Sequence, residues 1–315
     1  MILKKRNTPR DLVIQRSLSI RLKVKSNEQE FHLRNIQSGI DGEKAFDQWV
    51  ATHIPEQFPH VQDIRFTQNG STLQIDSIII TPENLFLFEI KNYQGTFEFQ
   101  DHKLYTEKQK EINNPNTQLE RTASLLRQWL TKRNIPHPPI QPYVIFINPH
   151  FYLYTTRKEA ANFIFSNQLH AFARKLEKMN RHITNSHLEL ANQLILNHLH
   201  ESPYDKTPDH PPEDYKKGFY CKECYSFEVT LSRYYLYCED CKEKEPIKSC
   251  LLRTIDEYQI LFKGEFTTTD IYFWCNQQVS KATIRRILSS TMIKEGKYRA
   301  SVYKPSTNNF AHRDQ

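Results

Sequence analysis

The stretch "QIDSIIITPENLFLFEIKNYQG", Gln74 to Gly95, constrains the fold more than any other part of the chain. Two apolar runs, Ser77 to Ile80 and Leu85 to Phe88, flank Thr81-Pro82-Glu83-Asn84. Proline pre-sets φ for the second turn position, so these four residues predict a turn and the runs predict paired strands. Yet Asp76 lies on the first arm, and Glu89 and Lys91 on the second. Alternation puts Glu89 and Lys91 on one face, Phe88 and Ile90 on the other. Asp76 comes within reach of Glu89 if the arms pair directly. Charged groups are rarely buried without a partner, because removing them from water is costly. Either the three groups point to solvent, or something sits between them.

The neighbouring sequence predicts an α/β arrangement of roughly 130 residues. "SGIDGEKAFDQWVATHI" has Ile40, Phe46, Trp49, Val50 and Ile54 at helical spacing, with a start expected near Asp41. Asn69-Gly70 is a two-residue hairpin signal, so three or four antiparallel strands follow. An amphipathic helix is expected from about Thr117 to Lys132, and a buried strand over "YVIFIN", Tyr143 to Asn148. Residues 155–200 read as helices. The longest apolar runs are too short to span a bilayer. The N-terminus lacks an apolar segment behind its basic residues, so no secretory signal is expected and the location expected is cytoplasmic. The net charge of +7 suits a partner bearing phosphates, although a merely basic protein would show the same value.

Two carboxylates brought together raise each other's pKa, and a divalent cation removes that conflict. Mg²⁺ is held by one or two carboxylates together with phosphate oxygens and waters. It polarises a scissile phosphate and acidifies a bound water, and Lys91 beside it suits orienting that water. An exposed edge strand would carry the same Glu-x-Lys pattern by chance. Three further features favour the site: Glu43 just after Gly42, Asp76 inside an apolar run, and Gln118 opening the second helix after "NNPN".

"GIDGEKAFDQWV", "LQIDSIIITPENLFLFEIKNYQGTF" and "NNPNTQ", in this order over about residues 38–150, resemble the NERD (nuclease-related) domain. That domain is a bacterial branch of the PD-(D/E)xK nuclease-like superfamily. The N-terminal "LKKRNTPRDLVIQRSLSIRL" and the later cysteines resemble a longer NERD-protein architecture of Gram-positive bacteria. The resemblance implies a restriction-endonuclease-like core, a mixed sheet flanked by helices, and phosphodiester cleavage with Mg²⁺ or Mn²⁺. It implies that Asp76 and Glu89 hold the metal, joined by the Ile90 carbonyl, and that Lys91 positions the attacking water. Glu43 would assist through the metal or a bound water, Gln118 matches a nearby helix position, and Gly95 would permit a tight turn. Members of the superfamily that bind without cutting keep a second reading open: a non-catalytic DNA-binding platform. A third is a zinc-dependent adaptor for a protein partner.

All six cysteines lie at or beyond residue 221. Cys221 and Cys224 form one CxxC, Cys238 and Cys241 another, thirteen residues apart. This spacing predicts a zinc ribbon with a closed, structural Cys₄ site, and a redox CxxC would need only one pair and a βαβ setting. Neither knuckle has the Gly or Pro common in ribbons. Cys250 and Cys275 are expected to be free core thiols. Lys216, Lys217, Lys222 and Arg233 with Tyr234, Tyr235 and Tyr237 suit nucleic acid, and equally a solvated face. The last segment reads as helices and a hairpin in winged helix-turn-helix order, with Ser280 as a helix cap. Lys281, Thr283, Arg285 and Arg286 would contact DNA, and Lys294, Lys297 and Arg299 would lie on the wing; a three-helix packing domain is the alternative. The expected division is a basic arm at 1–37, the nuclease-like domain with a helical extension at 38–200, a linker at 201–218, the ribbon at 219–250 and the winged helix at 251–315. The partner expected is nucleic acid, DNA first, and no membrane.

Overall fold

The computed structural model describes residues 1–156, 158, 160–179, 182–199, 208–262, 264–296 and 301–304. The chain opens with β1 (Ile2–Lys4), α1 (Arg10–Arg21) and α2 (Asn27–His53). Strands β2 (His60–Gln68), β3 (Ser71–Ile80), β4 (Leu85–Lys91), β5 (Gly95–Gln100), β6 (Lys103–Thr106) and β7 (Glu111–Ile112) lead to α3 (Pro115–Lys132). Then come β8 (Ile140–Phe146), β9 (Phe151–Tyr154), β10 (Phe163–Phe165), α4 (Leu169–Glu177) and α5 (Asn185–Leu196). The C-terminal third holds β11 (Val229–Leu231), β12 (Tyr235–Cys238), β13 (Lys244–Pro246), α6 (Ile247–Leu261), α7 (Thr268–Trp274), α8 (Lys281–Thr291), β14 (Ile293–Glu295) and β15 (Val302–Lys304). Two compact units result: Met1–Thr8 with Arg34–Tyr204, and Pro9–Leu33 with Asp205–Gln315. The segment 1–37, expected as one arm, is thus divided between both units.

The first unit is mixed α/β. Its six-stranded sheet has the order β1-β2-β3-β4-β8-β10. Strands β2, β3 and β4 are antiparallel, while β8 joins β4 in parallel. Both expected turns are present. Asn69 and Gly70 lie at φ +50° and +72°, linking the Gln68↔Ser71 pair. The Thr81 N–H donates to the Asn84 carbonyl at 2.9 Å, and the Asn84 N–H to Thr81 Oγ1 at 3.0 Å. Helices α3 and α5 cover one sheet face through Leu119, Leu126, Trp129 and Leu194. Helices α2 and α4 cover the other through Phe46, Val50, Phe172 and Leu176. Each such side chain contributes about 1.5–3 kcal/mol on burial. Burial on both sides explains why β4 reads as an almost continuous apolar run.

Three features differ from the sequence expectation, the first being that Phe163–Phe165, within a stretch read as helical, forms β10 in parallel with β8. Helix α2 starts at Asn27, not near Asp41, so Gly39 and Gly42 lie inside it. A second sheet, β7-β6-β5-β9, follows β4, and β9 pairs with β5 in parallel. Gly95 opens β5 at φ +99°, a left-handed conformation that favours glycine.

In the second unit, β11-β12-β13 form an antiparallel sheet around the four cysteines. Helices α6, α7 and α8 pack around Leu251, Ile255, Ile271, Ile284 and Leu288, with Cys250 and Cys275 buried as free thiols among them. A hairpin of β14 and β15 follows. Arg21 of α1 is fully buried here. It donates to Glu257 Oε2 at 2.6 and 2.8 Å and to the carbonyls of Lys216 and Gly218. A buried charge held by its partner in this way is strongly destabilising only when that partner is removed.

Candidate active site

Strand alternation breaks once along β2 and β3. Val61 faces the same core as Ile64 and Phe66, and Ile78 the same core as Ile75 and Leu73. Regular alternation would place residues three apart on opposite faces. The break falls at Asp63, with φ +47°, and at Asp76: opposed pairs exist at Gln62↔Ser77 and Ile64↔Ile75 but not between. Such irregularities re-aim side chains beside functional sites. Here the Asp76 carboxylate turns toward β4, where its Oδ2 accepts the Ile90 N–H at 2.8 Å. The Ser77↔Phe88 register, carried on one step, sets Asp76 across from Glu89. Glu89 Oε1 in turn pairs with Lys91 Nζ at 2.7 Å.

Helix α2 brings Glu43 to the same end of the sheet. It can approach because residue 42 lacks a side chain: a Cβ on Gly42 would lie 2.5 Å from the Cβ of Asn92. Asn92 donates to the Ser38 carbonyl at 2.8 Å and accepts from Asn148 Nδ2 at 3.1 Å. The Gly-Glu pair of α2 and the Lys-Asn at the end of β4 are thus two sides of one contact. Gly42→Ala is expected to lower the melting temperature, losing about 1–3 kcal/mol to overpacking. Helix propensity alone would give a gain of about 1 kcal/mol, so the sign of the measured change decides between them.

Two residues that the sequence did not mark complete the cluster. Arg6, just after β1, pairs through Nη1 with Glu43 Oε2 at 2.8 Å and through Nε with Asp47 Oδ2 at 3.1 Å. Its Nη2 donates to the Asp76 carbonyl at 2.7 Å. Asp47 stands four residues after Glu43, hence on the same helix face, and that spacing was the available signal. Arg6 had none.

Burial dominates the electrostatics. It pushes Glu43 up to about 7, helped by the Asp76 charge and opposed by Arg6. It pushes Glu89 up to about 8, helped by Asp76 and opposed by Lys91. Asp76 and Asp47 are also raised by burial, against the Ile90 N–H and Lys91 for the former and Arg6 for the latter. Lys91 is desolvated too, but Glu89 holds it above its ordinary value. Of these carboxylates, Glu89 at about 8 favours its protonated form at neutral pH and Glu43 at about 7 is balanced between its two forms; a divalent cation stabilises the charged form of the same donor set. The carboxylates form no closed cage: among the described residues only the four cysteines gather three or more candidate ligand atoms within 4.8 Å. An ion taking one or two carboxylates and completing its shell with water and phosphate oxygens fits that openness.

Gln118 stands apart. Its side chain is exposed and, among the described residues, hydrogen-bonds to none of the cluster; its N–H donates to the Asn114 carbonyl at 3.4 Å.

The sulfurs of Cys221 and Cys241 lie 3.5 Å apart, as do those of Cys224 and Cys238, and all four cysteines are free. Four thiolates about 2.3 Å from one tetrahedral ion would have edges of nearly this length, so the set fits zinc. The residue after each second cysteine, Tyr225 and Lys242, lies at φ +61° and +63°. Ribbons commonly use glycine for such a turn; here larger residues adopt it. In the C-terminal segment, Ser280 caps α8 by accepting the Thr283 N–H at 3.2 Å. Arg285 and Arg286 are exposed on α8 and Lys294 on β14, while Lys281 Nζ donates to Thr269 Oγ1. Lys297 and Arg299 lie outside the described residues.

Residues 38–147 match the family model of the nuclease-related domain, NERD, so the chain carries that domain. No curated protein and no solved structure matches the chain. No helix among the described residues is long and apolar enough to cross a membrane.

Proposed function

We propose that the chain is a metal-dependent nuclease that hydrolyses phosphodiester bonds in DNA. One observation carries this reading. The segment matching a nuclease-related domain gathers Glu43, Asp76, Glu89 and Lys91 at one end of the sheet, where the strands depart from regular alternation. Asp76 and Glu89 would hold Mg²⁺ or Mn²⁺, with the Ile90 carbonyl beside them. Bound there, the ion would polarise the scissile phosphate and acidify a water.

The chain's own groups have distinct tasks. The Ile90 N–H holds Asp76 Oδ2 and so fixes the direction of that carboxylate. Lys91 is kept charged by Glu89 and suits binding the attacking water and countering charge that builds on the phosphate. Glu43, poised near neutrality, suits moving a proton at a bound water. Gln118, exposed at the start of α3, suits contact with the substrate rather than the reacting atoms. Zinc in the Cys₄ site would serve structure alone. Helix α8, with Arg285 and Arg286 exposed, and the following hairpin suit a winged-helix arm that positions DNA.

The test is cleavage of supercoiled and linear DNA in Mg²⁺ or Mn²⁺. Nicking by the wild type and none by Asp76→Ala, with matching circular dichroism, is the expected result. Equal cutting by both would sink the assignment. Salt-sensitive DNA binding without cutting in any metal would leave the non-catalytic platform.

A further inference from the structure

We propose that Arg6 is a positioning residue that fills, as a permanent side-chain cation, the place a second metal ion would take beside Glu43 and Asp47. The site then works with one metal ion. This inference rests on the metal-dependent reading of the same cluster and extends it beyond residues 38–147.

The argument begins with the donors. Two-metal phosphodiesterases set their ions about 3.5–4 Å apart, and each ion needs its own oxygen ligands. With Asp76 and Glu89 assigned to one ion, and Asp63 Oδ1 accepting from Arg65 Nη2 and Gln74 Nε2 at 3.4 and 3.0 Å, Glu43 and Asp47 are the acidic side chains left in the cluster. Both are engaged by a single guanidinium. Three nitrogens of Arg6 each meet a different oxygen, Glu43 Oε2, Asp47 Oδ2 and the Asp76 carbonyl, at 2.7–3.1 Å. The Arg6 side chain is only 6% exposed. A guanidinium does not lose its proton in proteins, so this charge cannot be titrated away.

The approach of Arg6 is fixed from behind. Its backbone N–H donates to Gln62 Oε1 at 3.0 Å. Two residues earlier, Lys4 Nζ donates to the carbonyls of Gln62 and Asp63 at 2.9 and 2.7 Å. Strand β1 is paired in parallel with β2. Arg6 therefore ties α2, through Glu43 and Asp47, to β3, through the Asp76 carbonyl. It sets the carboxylate of Glu43 relative to the strand that carries the metal ligand. A second ion would meet a fixed positive charge and find Glu43 Oε2, Asp47 Oδ2 and the Asp76 carbonyl already bound, with Asp47 Oδ1 the buried oxygen left without a hydrogen-bond partner among the described residues.

The test counts metal ions without substrate. Zinc-loaded full-length wild type, Arg6→Ala and Arg6→Lys are titrated with Mn²⁺, read by calorimetry and by electron paramagnetic resonance. The wild type is expected to bind one Mn²⁺ and Arg6→Ala two, since its three freed oxygens accept an ion. Arg6→Lys, which keeps the charge, should bind one. A purely structural role would leave the count unchanged. Two ions in the wild type, or one in both wild type and Arg6→Ala, overturns the proposal. Should Arg6→Ala fail to fold by circular dichroism, Arg6→Gln, which removes the charge and keeps most of the bulk, replaces it: two ions against one in the wild type supports the proposal, and equal counts overturn it. No Mn²⁺ in the wild type but one in Arg6→Ala would support Arg6 as the resident cation while removing the metal-dependent reading. No Mn²⁺ in either would remove both.

Discussion

Replacing Cys238 by serine is expected to abolish zinc binding and to unfold residues 219–250, with metal analysis and limited proteolysis as the readouts. The three strands around the cysteines are only three or four residues long. A module this small would gain about 10 kcal/mol from a bound zinc ion, which exceeds what its few buried side chains supply. The two left-handed residues, Tyr225 and Lys242, sharpen the expectation. Each such conformation costs on the order of 1 kcal/mol for a residue with a side chain, and persists only where the surroundings determine it. Four sulfurs converging on one ion would do so. Zinc-free wild type with an unchanged proteolytic pattern would contradict this account.

Glu89→Gln is expected to have two opposite effects. Cleavage should fall by on the order of 10³-fold, because a metal-binding carboxylate becomes a neutral amide. Stability of the zinc-loaded protein, free of Mg²⁺ and Mn²⁺, should rise at alkaline pH. The sign follows from the direction of the shift. Glu89 titrates near 8 in the fold, against an ordinary value of 4.5. The native state therefore holds the proton more tightly than the unfolded chain. Its stabilising contribution is complete below pH 4.5 and is lost as pH rises through 8. The loss amounts to about 3–5 kcal/mol, shared in part with Glu43, which moves the same way to about 7. Melting temperatures of the zinc-loaded wild type without Mg²⁺ or Mn²⁺ should decline from pH 5 to 8, and those of Glu89→Gln much less. Mn²⁺ should restore the wild type at pH 8 by replacing the protons. Parallel pH profiles for the two proteins would show that Glu89 is not the group responsible.

Much of the sheet was legible because its signals are local. Asn69-Gly70 and Thr81-Pro82 specify turns through their own backbone preferences, and unbroken apolar runs report burial on both faces. Glu89 and Lys91 were legible for the same reason: charge inside such a run needs an explanation. Gly42 was misread as the start of a helix because a glycine's role depends on what approaches it, and Asn92 lies fifty residues away in sequence. The facing of Asp76 was hidden by the break in alternation at Asp63, which no periodicity count detects. Arg6 was invisible because its partners are all distant in sequence, and one arginine in a basic segment resembles any other.

The order in which the two units claim the chain bears on how the protein is made. Residues 1–8 belong to the first unit, 9–33 to the second, 34–204 to the first again, and the remainder to the second. Neither unit is one uninterrupted stretch of gene. During translation the helix at 10–21 must leave the ribosome long before the residues that bury Arg21 exist. An expression fragment trimmed to residues 38–147 would carry every acidic ligand of the candidate site, yet lack the guanidinium that holds two of its carboxylates in place.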